Sequence, residues 1–365
     1  MSSIVLFVIG AALLIYSVEK LIGYLVGVAR GLSVSVFLLA ILFTGIEFDD
    51  VILGAVLNLE DLDGVAVGIV FGTGLSMIGI VLALAAIITP SKVNIPRDYL
   101  LIFALSPAVM IPFILTPPLT VIDGVILMGL FVAFISYVAA REFRADRPVF
   151  RDAEMYEAYA QAREAGGGTS VLDGPTTSGG DGGSGGESSM GSARREFAEN
   201  VPFADAHQRS GWKLLLLAGI ALAGLIVGAS LTGMGTEGIL EEFGLDGTVF
   251  GATIVTVVLT IEDIFLTVEP ARKGAPEIGV ANVIGSAVFS VTGKLGIILL
   301  LGSLALDSYV LTWHLPALIL LTWLGAYFLS TGQLRRWHGF VLLGLYICYW
   351  AMTFFGLGIV PVEMD

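Results

Sequence analysis

Residues 31–83 and 244–296 can be laid on each other without a gap at a constant offset of 213, and both copies carry adjacent carboxylates inside an apolar helix. Asp49-Asp50 falls on Glu262-Asp263, Gly31-Leu32 on Gly244-Leu245, Val36-Phe37 on Val249-Phe250, Ile41 on Ile254, Val67 on Val280, Val70 on Val283 and Gly72 on Gly285. Such a match marks a duplicated unit. Two similar halves must then fold alike and pack together, and duplicated halves that hold intramembrane acids are the pattern of secondary transporters.

The solvent follows from composition. A chain that is 56% hydrophobic and 14% charged cannot hide its apolar surface in one water-soluble core, so a polytopic membrane protein is expected. Apolar stretches run over 3–29, 32–57, 64–89, 98–116, 119–140, 212–234, 247–269, 277–304, 308–330 and 336–358. Each is long enough to cross about 30 Å of hydrocarbon at about 1.5 Å per residue. The first lacks a basic leader and continues as a full span, so no cleaved signal peptide is expected. The lone Cys348 excludes an internal disulfide.

Charge placement supports ten spans independently. With the first end outside, the inner connections carry Arg30, Lys92, Arg97, Arg141 through Lys213, Arg272, Lys273, Arg335 and Arg336. The outer ones carry Glu60, Asp61, Asp63, Glu237, Glu241, Glu242, Asp246 and Asp307, without Lys or Arg. That pattern places both termini outside a cell membrane, in prokaryotic style. Five spans separate equivalent points, so the copies enter the bilayer in opposite directions. The predicted fold is all-α, with ten transmembrane helices as two inverted five-helix repeats, 1–140 and 212–365. Between them, 141–211 changes to an arginine-rich start and a Gly/Ser tract over 166–191. This is expected to be a flexible cytoplasmic linker, a tether or a regulatory loop. The net charge of −14 fits either a high-salt setting or ordinary extracellular acidity.

Chemistry is expected at the acidic clusters, Glu47-Phe48-Asp49-Asp50 and Thr260-Ile261-Glu262-Asp263. An ionised carboxylate at the bilayer centre costs about 3 kcal/mol even on lenient insertion scales, so these groups call for cations, protons or water. Hard oxygen ligands suit Ca²⁺, Na⁺, Mg²⁺ or Mn²⁺, whereas copper or zinc would favour His or Cys. On a continuous helix Glu47 and Asp50 share a face, as do Thr260 and Asp263, while Asp49 and Glu262 are turned away. The inward set is then Glu47, Asp50, Thr260 and Asp263, with Asp49 and Glu262 lining a water path or carrying protons.

A short basic turn, Pro270-Ala271-Arg272-Lys273-Gly274, precedes Ala281-Asn282-Val283-Ile284-Gly285-Ser286-Ala287-Val288-Phe289-Ser290. This arrangement resembles the second half of the motif of the calcium/cation antiporters, which include the sodium/calcium exchangers. The resemblance implies five plus five helices around a cation site, and ion ligands at Glu47, Asp50, Thr73, Thr260, Asp263, Ser286 and Ser290. Glu47, Asp50 and Asp263 would be the charged ligands of the transported cation. The chain departs from the family motif at Ile46 and Leu259, which replace threonines, at Met77 and Ala287, which replace amides, and at Asp49 and Glu262, which replace prolines.

Lys294 sits inside the eighth stretch with Val81 as its counterpart. Two readings are open: a snorkelling side chain near the outer interface, or an ammonium that neutralises surplus acid and stands in for one cation. Glu19-Lys20 is expected to be an interfacial pair and His314 a packed or interfacial residue. Trp313, Trp323, Trp337 and Trp350 suit interfacial belts or packing.

The leading function is cation antiport, Ca²⁺ against Na⁺ or H⁺, by alternating access at a midplane site. An intramembrane aspartyl protease using Asp50 and Asp263 is a second reading, with Pro316-Ala317-Leu318 as its superficial support, and a channel or non-transporting relative a third. No P-loop supports ATP-driven pumping. The expected partners are inorganic cations and the lipid bilayer, without nucleic acid, nucleotide or resident cofactor; the residues leave the oligomeric state open.

Overall fold

The computed structural model describes residues 2–31, 47–142, 211–272, 276–307 and 309–354. Most of the expected linker, the first part of the second apolar stretch, Lys273 and the end of the last stretch lie outside the described residues. The first half comprises α1 (Ser2–Gly31), α2 (Phe48–Leu59), α3 (Asp63–Ser76), α4 (Ala83–Ile88), strand β1 (Ser91–Lys92), α5 (Arg97–Leu105), α6 (Ile111–Ile114) and α7 (Val121–Glu142). The second comprises α8 (Gly211–Phe243), α9 (Gly247–Phe250), α10 (Thr256–Leu259), α11 (Ile261–Arg272), α12 (Pro276–Phe289), α13 (Leu295–Leu301), α14 (Leu315–Ser330), β2 (Gln333–Leu334) and α15 (Arg336–Met352).

Helix is what hydrocarbon demands, because it satisfies each backbone N–H and C=O internally. Among the described residues seven helical stretches are long and apolar enough to cross a membrane, and an eighth if Gly247–Leu259 and Ile261–Arg272 form one bent span. The apolar stretches 32–57 and 336–358 are described only in part, as α2 and α15. Burial separates a centre from a rim: 94% of the apolar window in Asp63–Ile88 and 83% in Gly279–Leu301 is buried, against 22% in Val121–Val138. The rim helices turn Val5, Val8, Ile9, Ile122, Val125, Leu216 and Ile220 outward, as lipid contact requires.

The duplication reappears in the element bounds. Phe48–Leu59 and Ile261–Arg272 are offset by 213 at both ends, as are Asp63–Ser76 and Pro276–Phe289. Each of the latter helices runs into a π-helical stretch, Met77–Leu82 in one half and Ser290–Lys294 in the other. β1 pairs antiparallel with β2, Ser91 opposite Leu334, and Leu119 bridges Leu304. Connections assigned by charge to the same side therefore meet each other.

Three sequence expectations are revised. The acidic segments are not continuous helices: Glu47 is a non-helical cap before α2 (φ −74°, ψ 82°), and the chain bends by 46° between α10 and α11, at Thr260. The sixth stretch extends past 234 to Phe243, because Glu237, Glu241 and Glu242 prolong the helix although hydropathy ends before them. The fourth is interrupted by a 3-10 turn, Ser106–Met110, where Pro107 supplies no backbone donor.

Glycine sets the closeness of the central contact. A Cβ on Gly68 would lie 2.8 Å from Ala252 N and 3.0 Å from Gly251 Cα, and one on Gly72 would lie 2.7 Å from Ala252 Cα. Small residues four apart on α3 thus let its backbone touch that of α9 and the following π stretch, Gly251–Val255, the usual device for helix association where no hydrophobic effect operates.

Candidate functional site

Two helix N-termini point acids into the centre. Asp49 and Asp50 occupy the first turn of α2, and Glu262 and Asp263 that of α11. Unpaired N–H groups there carry partial positive charge, which favours carboxylates and offsets part of their burial cost.

The first cluster is closed by a side chain from the other half. Asp50 is 3% exposed and accepts a hydrogen bond of 2.7 Å from Thr73 Oγ1 on α3. Lys294, with no exposed surface, ion-pairs with the Asp50 carboxylate. Its Nζ lies 2.5 Å from Glu47 Oε2 and donates to Thr73 Oγ1 at 3.1 Å. The ammonium is thus held by three oxygens. A snorkelling lysine would reach water, so that reading is set aside.

Among the described residues, the second cluster has no such cation. Thr260 at the helix bend shares a hydrogen bond of 2.8 Å with Ser76 of α3. Asp263 accepts from Asn282 Nδ2 at 3.3 Å, and the same amide approaches Thr267 Oγ1 at 3.5 Å. Ser286 and Ser290 are fully buried, and neither hydroxyl has a well-formed hydrogen bond, although Ser286 adjoins Glu47. Asn282 Oδ1 is likewise without a partner. Buried hydroxyl and amide oxygens of this kind are costly unless something accepts or coordinates them, and a hard cation uses such oxygens directly.

Of the residues expected at the site, Glu47, Asp50 and Thr73 come together directly around Lys294. Asp263 lies within electrostatic reach of Glu47, Asp49 and Asp50, and Asp49 within reach of Glu262. Among the described residues, however, no three of the His, Cys, Asp and Glu side chains are grouped as a metal site, so Glu47, Asp50 and Asp263 do not form a closed three-carboxylate cage in this conformation. Ser76 and Thr267 were missed from the sequence. Ser76 falls on Phe289 in the repeat, so duplication gave no cue to it. Asn282 stood in the quoted motif but was not chosen as a site residue, and its position there was the available signal.

The remaining charged and aromatic residues behave as packing. Lys20 and Glu19 pair at 3.1 Å on a half-exposed surface. His314 is buried, with Nδ1 2.7 Å from Tyr349 Oη. Trp313 donates to Thr353, and Trp323 to the Ala104 carbonyl.

One bent helix pair and two acid-bearing helix N-termini gathered with buried hydroxyls fit the class of ion-transporting membrane proteins. The sequence pattern of the family "Sodium/calcium exchanger protein" matches residues 2–140 and 213–355. The chain belongs to that family. It is 29% identical to the sodium/calcium exchanger MaX1 of Methanosarcina acetivorans over 37% of this chain and 39% of that protein. It is 22% identical to the putative antiporter CaxA of Alkalimonas amylolytica over 95% and 97% of the two chains. The fold matches the solved structure of the sodium-calcium exchanger NCX_Mj soaked with Na⁺ and Sr²⁺, with a TM-score of 0.54, 21% identity and coverage of 95% and 96%. A family of transporters removes the protease reading. The geometry agrees, because Asp50 is bound to Lys294 and Asp263 to Asn282, whereas a protease dyad shares one proton between two carboxyls.

Proposed function

We propose that this protein exchanges a hard cation, Ca²⁺, for Na⁺ or H⁺ across a prokaryotic cell membrane. Its ten spans form two inverted five-helix repeats, with both termini outside and 141–211 as a cytoplasmic tether. The observation that carries the reading is the equivalence of Glu47 and Thr260, each standing just before the N-terminus of an acid-bearing helix. Inverted repeats with discontinuous helices at the midplane allow one site to face either side in turn. The ligand set is Glu47, Asp50, Thr73, Thr260, Asp263, Ser286 and Ser290. Asp49 and Glu262 accompany it as proton or charge-compensating groups. An ion or proton must replace the departing one, because empty carboxylates in a low-dielectric centre are disfavoured, and that requirement couples the two fluxes. The buried Ser290 hydroxyl, without a hydrogen bond among the described residues, and the Ser286 hydroxyl beside Glu47 support cation binding at this centre.

The test is uptake of radioactive Ca²⁺ into proteoliposomes under an outward Na⁺ gradient and, separately, an outward H⁺ gradient. Gradient-driven uptake that is lost in Asp50→Asn and in Asp263→Asn is expected. Equal uptake with and without either gradient would leave a channel, and no Ca²⁺ movement by folded protein would rule out Ca²⁺ as cargo.

A further inference from the structure

The duplicated architecture contains its own control for Lys294. At an offset of 213, Glu47 corresponds to Thr260, Asp50 to Asp263, Thr73 to Ser286 and Val81 to Lys294. The sequence therefore carries two related sets of oxygen-bearing side chains. The first, Glu47, Asp50 and Thr73, holds the ammonium of Lys294 through oxygens that would otherwise face an ion. The residue equivalent to that lysine is an apolar valine, fully buried in the other half. Among the described residues the corresponding Asp263 receives an amide from Asn282 and no cation, and the Ser286 hydroxyl lies beside Glu47 without a well-formed hydrogen bond.

Position and chemistry support the same role. Lys294 closes the π-helical stretch Ser290–Lys294 of a deeply buried helix, and its side chain has no exposed surface. An ammonium is a compact point charge with three donors, and here three oxygens from three different residues surround it. Glu47 at the cap of α2, Asp50 in its first turn and Thr73 across from it present the oxygens that a monovalent cation would use. Lys294 supplies that cation covalently.

We propose that Lys294 is a tethered cation that occupies the subsite of Glu47, Asp50 and Thr73, leaving the transported ion to the rest of the ligand set, Thr260, Asp263, Ser286 and Ser290. The proposal rests on the antiport reading and sharpens it: the protein binds one monovalent charge equivalent fewer than its carboxylates would otherwise recruit. Removing the ammonium while keeping its stem volume opens the first subsite to an ion from solution.

The test uses the purified full chain. Thermal midpoints are measured in choline chloride and in titrations of Na⁺ and of Ca²⁺, for wild type, Lys294→Met and the double variant Asp50→Asn/Lys294→Met. A cation that binds only the folded state raises the midpoint in proportion to the number of ions taken up. Lys294→Met is expected to be less stable than wild type in choline, to be rescued by Na⁺ or Ca²⁺, and to show a steeper dependence of midpoint on log concentration by one additional bound ion. The double variant, with one carboxylate and the ammonium both removed, is expected to return to the wild-type slope. A wild-type slope for Lys294→Met overturns the proposal. So does a Lys294→Met that no cation rescues while the double variant folds, since the ammonium would then fill a place closed to ions. Failure of both variants to fold overturns it as well, because the lysine stem would then be needed for packing whatever the charge. Wild-type flux in proteoliposomes is a separate readout. Its absence, with the added bound ion still present in Lys294→Met, would refute antiport while retaining the tethered cation.

Discussion

Gly68→Ala tests the contact on which the site is built. Its new Cβ would press on the Thr248 carbonyl and lie 2.8 Å from Ala252 N and 3.0 Å from Gly251 Cα. All three are backbone atoms of the facing segment, so no side-chain rotation relieves the clash and the helices must separate by several tenths of an ångström. Overpacking of this kind costs about 1–3 kcal/mol, and the upper end is expected where backbone meets backbone. Gly219 and Gly344 provide controls, because a Cβ at either meets nothing within 4 Å; there alanine should gain about 0.5–1 kcal/mol through its better helix propensity. The assay is thermal unfolding of the purified protein with Gly68→Ala, Gly251→Ala, the double variant and the two controls. Gly251 meets the same partner, with its Cβ 3.1 Å from Gly68 Cα, so the double variant should cost less than the sum of the singles. Transport should fall with stability, since α3 carries Thr73 and Ser76 and the facing chain leads into Thr260. A Gly68→Ala midpoint equal to wild type, or a loss matched by the Gly219→Ala control, would refute the close-contact argument.

Other substitutions test single bonds. Thr260→Val removes the partner of Ser76 across the helix bend and should cost about 1 kcal/mol of stability, together with weaker Ca²⁺ binding by equilibrium isotope titration; unchanged binding would place Thr260 outside the ligand set. Asn58→Leu deletes a donor 3.1 Å from the Ile298 carbonyl at the end of α13 and should cost about 1–3 kcal/mol by leaving a buried group unpaired; a neutral melt would contradict this. Asp246, in the connection before α9, caps that helix by accepting from Val249 N at 2.9 Å. Burial pushes its carboxyl above the ordinary value; the nearby Asp307 acts in the same direction, and the Val249 amide in opposition. The folded chain therefore holds this proton more tightly than the unfolded chain. The resulting stabilisation is present below the ordinary aspartate range and is lost as pH rises through the raised folded value. Asp246→Asn keeps the cap and should flatten the dependence of the thermal midpoint on pH across the acidic range; a wild-type profile would show that another group governs it.

The gapless repeat, the apolar stretches and the paired acids are properties of local pattern, so the sequence alone determined a duplicated helical membrane protein with a carboxylate centre. The offset of 213 even locates matching element ends, because identical local sequence constraints stop and start helices at equivalent places. The non-helical cap at Glu47 and the bend at Thr260 were not legible. Helical periodicity is silent about where a helix begins or bends, and at Thr260 the bend coincides with a hydroxyl contact to Ser76 in the other half. The partners of Asp263 were half visible, since Asn282 lies in the quoted motif while Thr267 has no motif to mark it. Lys294 separates the two levels most clearly. Its intramembrane position was evident from the sequence, but its choice between the lipid headgroups and the acids 244 positions earlier was made only by tertiary packing, which leaves it no exposed surface and leaves carboxylate oxygens to satisfy its charge.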